Sequence, residues 1–169
     1  MGTHILIGNF IALISSIIMI CAGFVKNKKT ILYVQNIQML LAALCDMILG
    51  SAAGLISNLI GCVRNTLCYK DKFGLKEKTI IALLVTGFTI YFNNLGVIGL
   101  LPLISTLMYI VFMNTKSVIK FKILIMASLL LWSIHDFYIK SYIYAIFDLG
   151  AIITNLISII QIKKLDKKC

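Results

Sequence analysis

Long, nearly uninterrupted runs of apolar residues constrain this fold more than any other feature of the sequence. Of the 169 residues, 60% are hydrophobic and only 13% are charged, whereas an average soluble domain is about half apolar and about a quarter charged. A soluble fold of this size exposes too much surface for so few polar groups to cover. The composition therefore excludes a soluble enzyme. It also excludes a disordered chain, which would be poor in apolar residues.

The apolar runs have the length of membrane-spanning helices, which need about 20 mostly apolar residues to cross a hydrocarbon core of about 30 Å. Seven such segments use most of the chain, with predicted bounds 4–25, 30–49, 51–69, 79–95, 97–113, 118–138 and 141–162. Strands of a membrane barrel would alternate polar and apolar residues, and Ile11–Ile20 does not. We therefore predict an all-α membrane protein with seven transmembrane helices, embedded in a lipid bilayer.

The basic residues predict how this bundle is oriented. Of the 16 Lys and Arg side chains, all but Lys140 lie at or after the ends of the first, third, fifth and seventh spans. Positive charge marks the cytoplasmic side, so we predict an N-terminus outside and a C-terminus in the cytoplasm. Since the bases are divided among four short stretches, we expect them to orient the protein and not to bind nucleic acid. We expect Arg64 to snorkel to the membrane surface.

The two halves of the chain resemble each other in sequence. Leu13–Ser16 recurs as Leu103–Thr106, and Asp46 recurs as Asp136, in both cases 90 residues later. A third match has an offset of 97 residues and pairs Ser57–Ile60 with Thr154–Ile157. The seven additional residues are expected in a longer connection at 140–145.

These matches predict a 3+1+3 arrangement of two parallel triple-helix repeats in a single transmembrane domain. Repeat 1 covers about 4–69, a linker helix about 79–95, and repeat 2 about 97–162. One extra helix between the halves is needed for both halves to have the same orientation in the membrane. Transporters built from parallel repeats hold their substrate between the halves, near the middle of the membrane. With both halves in one chain, a monomer could suffice, and the sequence does not predict the oligomeric state.

Asn58 and Asn155 are the leading candidates for a substrate site, because each lies near the middle of its span on a face of small and polar residues. If the repeats are symmetric, both amides face a central axis and offer donors and acceptors to a neutral polar solute. Close helix packing, with each Asn as an interhelical link, is the alternative. Trp132 is expected either to stack on the solute or to anchor the helix at the lipid interface.

Ionisable side chains within the spans give further candidates, since such groups usually face a bundle interior or a watery cavity. We include His135, Asp136 and Asp148 in the candidate site, with His135 and Asp136 in a gate or a proton-linked site. The alternative for Asp136 is an interfacial pair with Lys140, four residues further along the same helical face. For Asp46, we expect a solvated position at the helix end at least as much as a functional role.

Motifs of catalysis are missing from the sequence. It contains no recognisable Ser/His/Asp triad, no glycine-rich phosphate loop and no Cys/His metal spacing. The absence of basic residues before the first span also favours a permanent span over a cleaved signal. We therefore predict that the chain is not an enzyme and has no cofactor and no metal. An intramembrane enzyme using His135 with Asp136 or Asp148 is the weakest of the alternatives.

The stretch Trp132–Tyr138, followed by Asp148 and Asn155, resembles the C-terminal half of the YgjV-type bacterial inner-membrane proteins. That family carries a W-x-I-H-[ND]-F-[WY] stretch, an acidic residue thirteen positions after the His and an Asn twenty positions after it, and this sequence matches all three spacings. It departs from the family at Cys45, where a His is frequent, and at Gln161, where a basic residue is usual. The resemblance implies a bacterial inner-membrane location.

The 3+1+3 helix order also resembles the SWEET sugar facilitators and the PnuC vitamin-uptake proteins. This likeness implies a small-solute transporter that alternates access by rocking its two halves around Asn58 and Asn155. The alternative is a non-transporting membrane partner or assembly subunit with the same fold. The sequence does not predict which solute such a transporter would carry.

Overall fold

The computed structural model describes residues 2–166, and seven α-helices account for most of them. They are α1 (Thr3–Phe24), α2 (Lys28–Leu49), α3 (Ala52–Tyr69), α4 (Leu75–Phe92), α5 (Leu100–Phe112), α6 (Val118–Tyr138) and α7 (Tyr142–Asp166). The seven predicted helices are confirmed. The largest difference is α4, which begins at Leu75 because the Glu77 carboxylate accepts a hydrogen bond from the backbone N–H of Gly74.

The distribution of side chains is that of a protein in lipid, with polar groups inside and apolar groups outside. Large apolar side chains on the outer surface are strongly exposed, as with Leu83 at 69% and Phe10 at 64%. Many Asn, Asp, Ser and His side chains within the helices are buried instead, among them Asn58, Asp136 and His135. Four helices, α1, α2, α6 and α7, are long and apolar enough to cross a membrane, and α5 is a shorter apolar helix.

Six of the helices form a closed ring. In the first half α1 packs on α2 and α2 on α3, and in the second half α5 packs on α6 and α6 on α7. The halves meet where α1 packs on α7 and α3 packs on α5. Helix α4 packs on α3 and α5 and returns the chain from the first half to the second. This is the arrangement expected of two parallel three-helix repeats.

Contacts between loops identify the two ends of the ring. At the end where α1, α3 and α5 finish, Lys29 forms a 2.7 Å ion pair with Asp71, and we call this the basic end. At the opposite end, the Asn94 side chain donates a 2.7 Å hydrogen bond to the carbonyl of Gly50. Lys140 follows α6 at this opposite end. That the basic end faces the cytoplasm stays a prediction, and Lys167 and Lys168 lie outside the described residues.

The turns between α2 and α3 and between α6 and α7 are built alike, at an offset of 90 residues. Gly50 and Lys140 both have a left-handed backbone, with φ of 79° and 65°. The next residues, Ser51 and Ser141, each donate a backbone N–H to the carbonyl of the residue five positions earlier, at 2.8 Å in both turns. Each of these serines immediately precedes a helix. The internal repeat is therefore visible in backbone geometry as well as in sequence.

The predicted offset of 97 between the third and seventh spans is wrong. Because α3 and α7 both start directly after the matched serines, the offset of 90 continues into them. The seven additional residues are at the other end, since α7 has 25 residues and α3 has 18. Asn58 therefore corresponds to Asp148. Asn155 lies one full heptad deeper, about 10 Å along the helix axis at 1.5 Å per residue.

Candidate functional site

A small cavity of 60 Å³ lies at the centre of the ring, and all six ring helices contribute to its wall. Helix α4 does not line it. The polar side chains of the wall include four of the candidates considered from the sequence, and they come from both halves: Asp46, Asn58, Asp136 and Asp148. Trp132 also lines the cavity, which favours its role at the site over that of a lipid-interface anchor.

Two of the carboxylates, one from each half of the chain, are held by short hydrogen bonds. The Asn58 amide donates to Oδ2 of Asp46 at 2.7 Å. In the other half, Nδ1 of His135 lies 3.0 Å from Oδ1 of Asp136. Both carboxylates are 4% exposed, so the alternatives of a solvated Asp46 and of an interfacial Asp136–Lys140 pair are wrong.

His135 joins the two halves. Its Nε2 lies 2.9 Å from the Ser51 hydroxyl, which belongs to the first half and also accepts a hydrogen bond from the backbone N–H of Gly54. Ser51, His135 and Asp136 therefore form a hydrogen-bonded Ser–His–Asp chain, although the sequence suggested that no such arrangement existed. It was invisible in the sequence because Ser51 is 84 residues from His135.

Several residues that line the cavity carry a buried polar atom with no partner within the described part of the chain. These atoms are Oδ2 of Asp148, the hydroxyl of Tyr144 and Oε1 of Gln35. Buried polar groups in folded proteins are nearly always hydrogen-bonded, and an exception calls for a ligand, a water or a strained site. Three such atoms around one cavity indicate a place built to contact something that is not part of this chain.

Asn155 is buried away from this cavity. Its amide donates to the carbonyl of Ala151 at 2.8 Å, and its Oδ1 accepts from the Lys122 ammonium at 3.3 Å. Lys122 also donates to the carbonyl of Gly23 at the end of α1. The prediction that Asn58 and Asn155 face each other across a central axis is therefore wrong, because Asn155 is one heptad too deep.

Two lysines tie the halves together at the basic end. Lys122 of α6 donates to the Gly23 carbonyl at 2.7 Å, and Lys28 of α2 donates to the carbonyl of Met113 at 2.5 Å. The accepting carbonyls of Gly23 and Met113 are 90 residues apart and thus correspond in the repeat, whereas the donors Lys28 and Lys122 are 94 residues apart. Lysines are favourable at these helix C-termini because the last carbonyls carry partial negative charge.

Arg64 is also buried, at 1% exposure, and the prediction that it snorkels to the surface is wrong. Its guanidinium carbon lies 4.3 Å from the centre of the Tyr109 ring, which lines the cavity. Stacking of a guanidinium on an aromatic face satisfies it inside the bundle. The pairing was not predictable, because Tyr109 is on α5 in the other half of the chain.

Close approach of α3 to α2 supports the Asp46–Asn58 contact and gives a stability prediction. A Cβ atom on Gly54 would lie 2.6 Å from the Asp46 carboxyl carbon. We expect Gly54→Ala to lower the free energy of unfolding by about 1–3 kcal/mol, the usual cost of overpacking. The measurement is unfolding of the purified protein in detergent, followed by circular dichroism.

Gly61→Ala is the matched control on the same helix. Its Cβ would meet the Met39 sulfur at 2.9 Å, and methionine is flexible enough to move aside. Both substitutions gain the same helix propensity, so the difference between them isolates the contact. Equal stability of the two variants would show that the Asp46 carboxyl moves freely.

Comparison with known proteins assigns the chain to a family but supplies no function. The matching family is described as a bacterial inner membrane protein family, Imp-YgjV, and the match covers residues 6–166. No curated protein and no solved structure matches the chain. The resemblance drawn from Trp132–Tyr138, Asp148 and Asn155 is confirmed, and the chain belongs to the YgjV family of bacterial inner membrane proteins.

Proposed function

We propose that this inner-membrane protein is a small-solute transporter or facilitator of the SWEET and PnuC type, which moves its solute through the ring by alternating access. The observation that carries the proposal is the central cavity, whose polar wall comes from both halves and includes buried atoms without partners. Transporters built from parallel repeats bind their solutes at this position. A membrane partner without transport activity would have no need of such a cavity.

The contacts that close the cavity support alternating access. At the basic end Lys28 and Lys122 connect the halves. At the opposite end Ser51 contacts His135, and the Cys45 sulfur lies 3.8 Å from the Ser141 hydroxyl. Each set joins one half to the other, so releasing one set while keeping the other opens the cavity to one side of the membrane. Both sets of contacts are present in the described conformation.

We propose that no chemical step accompanies transport. The Ser51–His135–Asp136 chain has the connectivity of a hydrolase triad, in which both ring nitrogens of the histidine are likewise engaged. Ser51, however, is 1% exposed and is absent from the described wall of the cavity, so a bound solute would not reach its hydroxyl. The position of Ser51 and His135 between the halves fits a contact that closes the cavity and not a catalytic role. The sequence carries no phosphate-binding loop, and we assign no ATP hydrolysis to the chain.

Uptake into vesicles tests this function. The purified full chain is reconstituted in liposomes and supplied with labelled sugars, nucleosides, vitamins and inorganic cations. We expect saturable uptake of one of these classes above that of protein-free vesicles. Trp132→Leu, in the cavity wall, is expected to reduce it. Phe137→Leu is the control, because Phe137 is 67% exposed on the same helix. Folded protein that carries no member of the panel would contradict the proposal.

A further inference from the structure

The wall of the central cavity is strongly acidic. Asp46, Asp136 and Asp148 all line it, and no Lys or Arg side chain is among its described lining residues. An ionised carboxylate away from water is costly unless a positive charge or several donors compensate it. Asn58 supplies one donor to Asp46, and His135 supplies one contact to Asp136. A neutral sugar in the cavity would leave these three carboxylates without a positive charge to compensate them.

Three of the side chains are close enough together to be ligands of one ion. Asp46, His135 and Asp136 each offer a ligand atom, and these atoms all lie within 4.8 Å of one another. Ligands at about 2.0–2.2 Å from a metal are separated by about 3.4–4.2 Å, so a small inward movement brings them into coordination, with Nδ1 of His135 exchanging its contact with Asp136 for the ion. The hydrogen bonds use Oδ2 of Asp46 and Oδ1 of Asp136, which leaves the second oxygen of each available as a ligand.

Asp148 provides independent evidence that the cavity is suited to a positively charged ligand. It is 2% exposed, it lines the same cavity, and its Oδ2 has no hydrogen-bond partner among the described residues. Its position corresponds to that of Asn58 in the first half, where the amide donates to Asp46. Asp148 has no proton-bearing amide to offer Asp136, so the second half presents two acidic groups where the first presents one acid and one donor.

We propose that the central cavity binds a divalent transition-metal cation, with Asp46, His135 and Asp136 as ligands and Asp148 as an additional negative charge. Mixed imidazole and carboxylate ligands suit divalent metals such as Mn²⁺ and Zn²⁺ better than alkali ions. The cavity of 60 Å³ accommodates an ion with one or two water molecules, since about 10–15 Å³ of such volume holds one water. The inference rests on the proposed transport function and names the class of its solute.

Binding of Mn²⁺ can be followed through the fluorescence of Trp132, the single tryptophan of the chain. Its ring centre lies 5.4 Å from that of His135, so a paramagnetic ion at the site should quench it. MnCl₂ is titrated into the purified full chain in detergent. We expect saturable quenching in the wild type, and at least about tenfold weaker binding in Asp46→Asn and in Asp136→Asn, since removing even outer-shell partners costs this much.

Asp71→Asn is the matched control, because it makes the same chemical change at the exposed Lys29–Asp71 pair and is expected to bind Mn²⁺ like the wild type. Folding of each variant is checked by circular dichroism, and His135→Gln replaces any Asp variant that does not fold. The proposal is overturned by folded wild type that shows no saturable quenching. It is equally overturned if Asp46→Asn and His135→Gln bind Mn²⁺ with unchanged affinity. It is also overturned if NaCl prevents the quenching of Trp132 by Mn²⁺ as well as ZnCl₂ does.

Vesicle uptake of Mn²⁺ separates this inference from the transport proposal. Mn²⁺ binding in detergent without any flux in liposomes leaves the metal site standing and contradicts transport. Saturable uptake of a neutral solute by protein that binds no Mn²⁺ contradicts the metal site and leaves transport standing. Binding together with Mn²⁺ uptake supports both.

Discussion

A disulfide between Cys45 and a cysteine introduced at position 141 is expected to abolish uptake, and reduction is expected to restore it. The Cys45 sulfur and the Ser141 hydroxyl are 3.8 Å apart, and a shift of about 1.8 Å reaches the sulfur separation of a disulfide. Cys45 belongs to the first half and residue 141 to the second. A covalent link there prevents the halves from separating at the opposite end, so the cavity no longer opens to that side.

The experiment uses Ser141→Cys in a background in which the remaining cysteines are replaced by serine, namely Cys21, Cys62, Cys68 and Cys169. Cross-linking is quantified by mass spectrometry before uptake is measured. Ser141→Ala under the same oxidant is the control and is expected to transport normally. Undiminished uptake by fully cross-linked protein would rule out movement of the halves at this contact.

Asn58→Ala and Asn155→Ala are expected to differ strongly, although the sequence presents the two residues as equivalent. Asn58 lines the cavity and donates to Asp46 at 2.7 Å. Loss of a hydrogen-bond partner that orients a binding group typically costs about 10- to 100-fold in affinity. We expect a loss in this range for the transported solute, measured as its half-saturation concentration in vesicles.

Asn155→Ala is expected to leave that concentration unchanged, because Asn155 is outside the cavity. Its effect should appear instead in thermal unfolding, since Lys122 loses one of its two acceptors. Equal losses of solute affinity in the two variants would restore the symmetric pair that the sequence suggested. They would also show that the solute reaches the basic end of the bundle.

Much of the architecture is predictable from the sequence, because a lipid environment leaves the backbone few choices. Apolar runs of about 20 residues must form helices that satisfy their own hydrogen bonds, and all seven were located. Helix ends were predicted within a few residues wherever charges or glycines interrupt a run. The start of α4 was misplaced because Leu75–Lys78 is too polar to be recognised as part of a span, yet Glu77 caps it.

The site was predictable only in part. Asp136, Asp148, Asn58 and Trp132 were identified because polar and amphipathic residues at membrane depth are rare and face the interior. Their partners were not, since Ser51 meets His135 across 84 residues of chain. Tyr109 and Tyr144 line the cavity without any distinctive signal, because aromatic residues are common throughout the spans.

Composition and periodicity by themselves determined a seven-helix membrane protein with two related halves, since burial in lipid depends on local hydrophobicity alone. The tertiary structure decided which polar residues meet. An offset of 97 residues in sequence pairs Asn58 with Asn155, whereas the offset of 90 in the turns pairs Asn58 with Asp148. The physical reason is that the turn from which a helix starts fixes the depth of each residue along the helix axis. A local sequence match cannot measure depth along the helix axis, and depth decides which side chains reach the cavity.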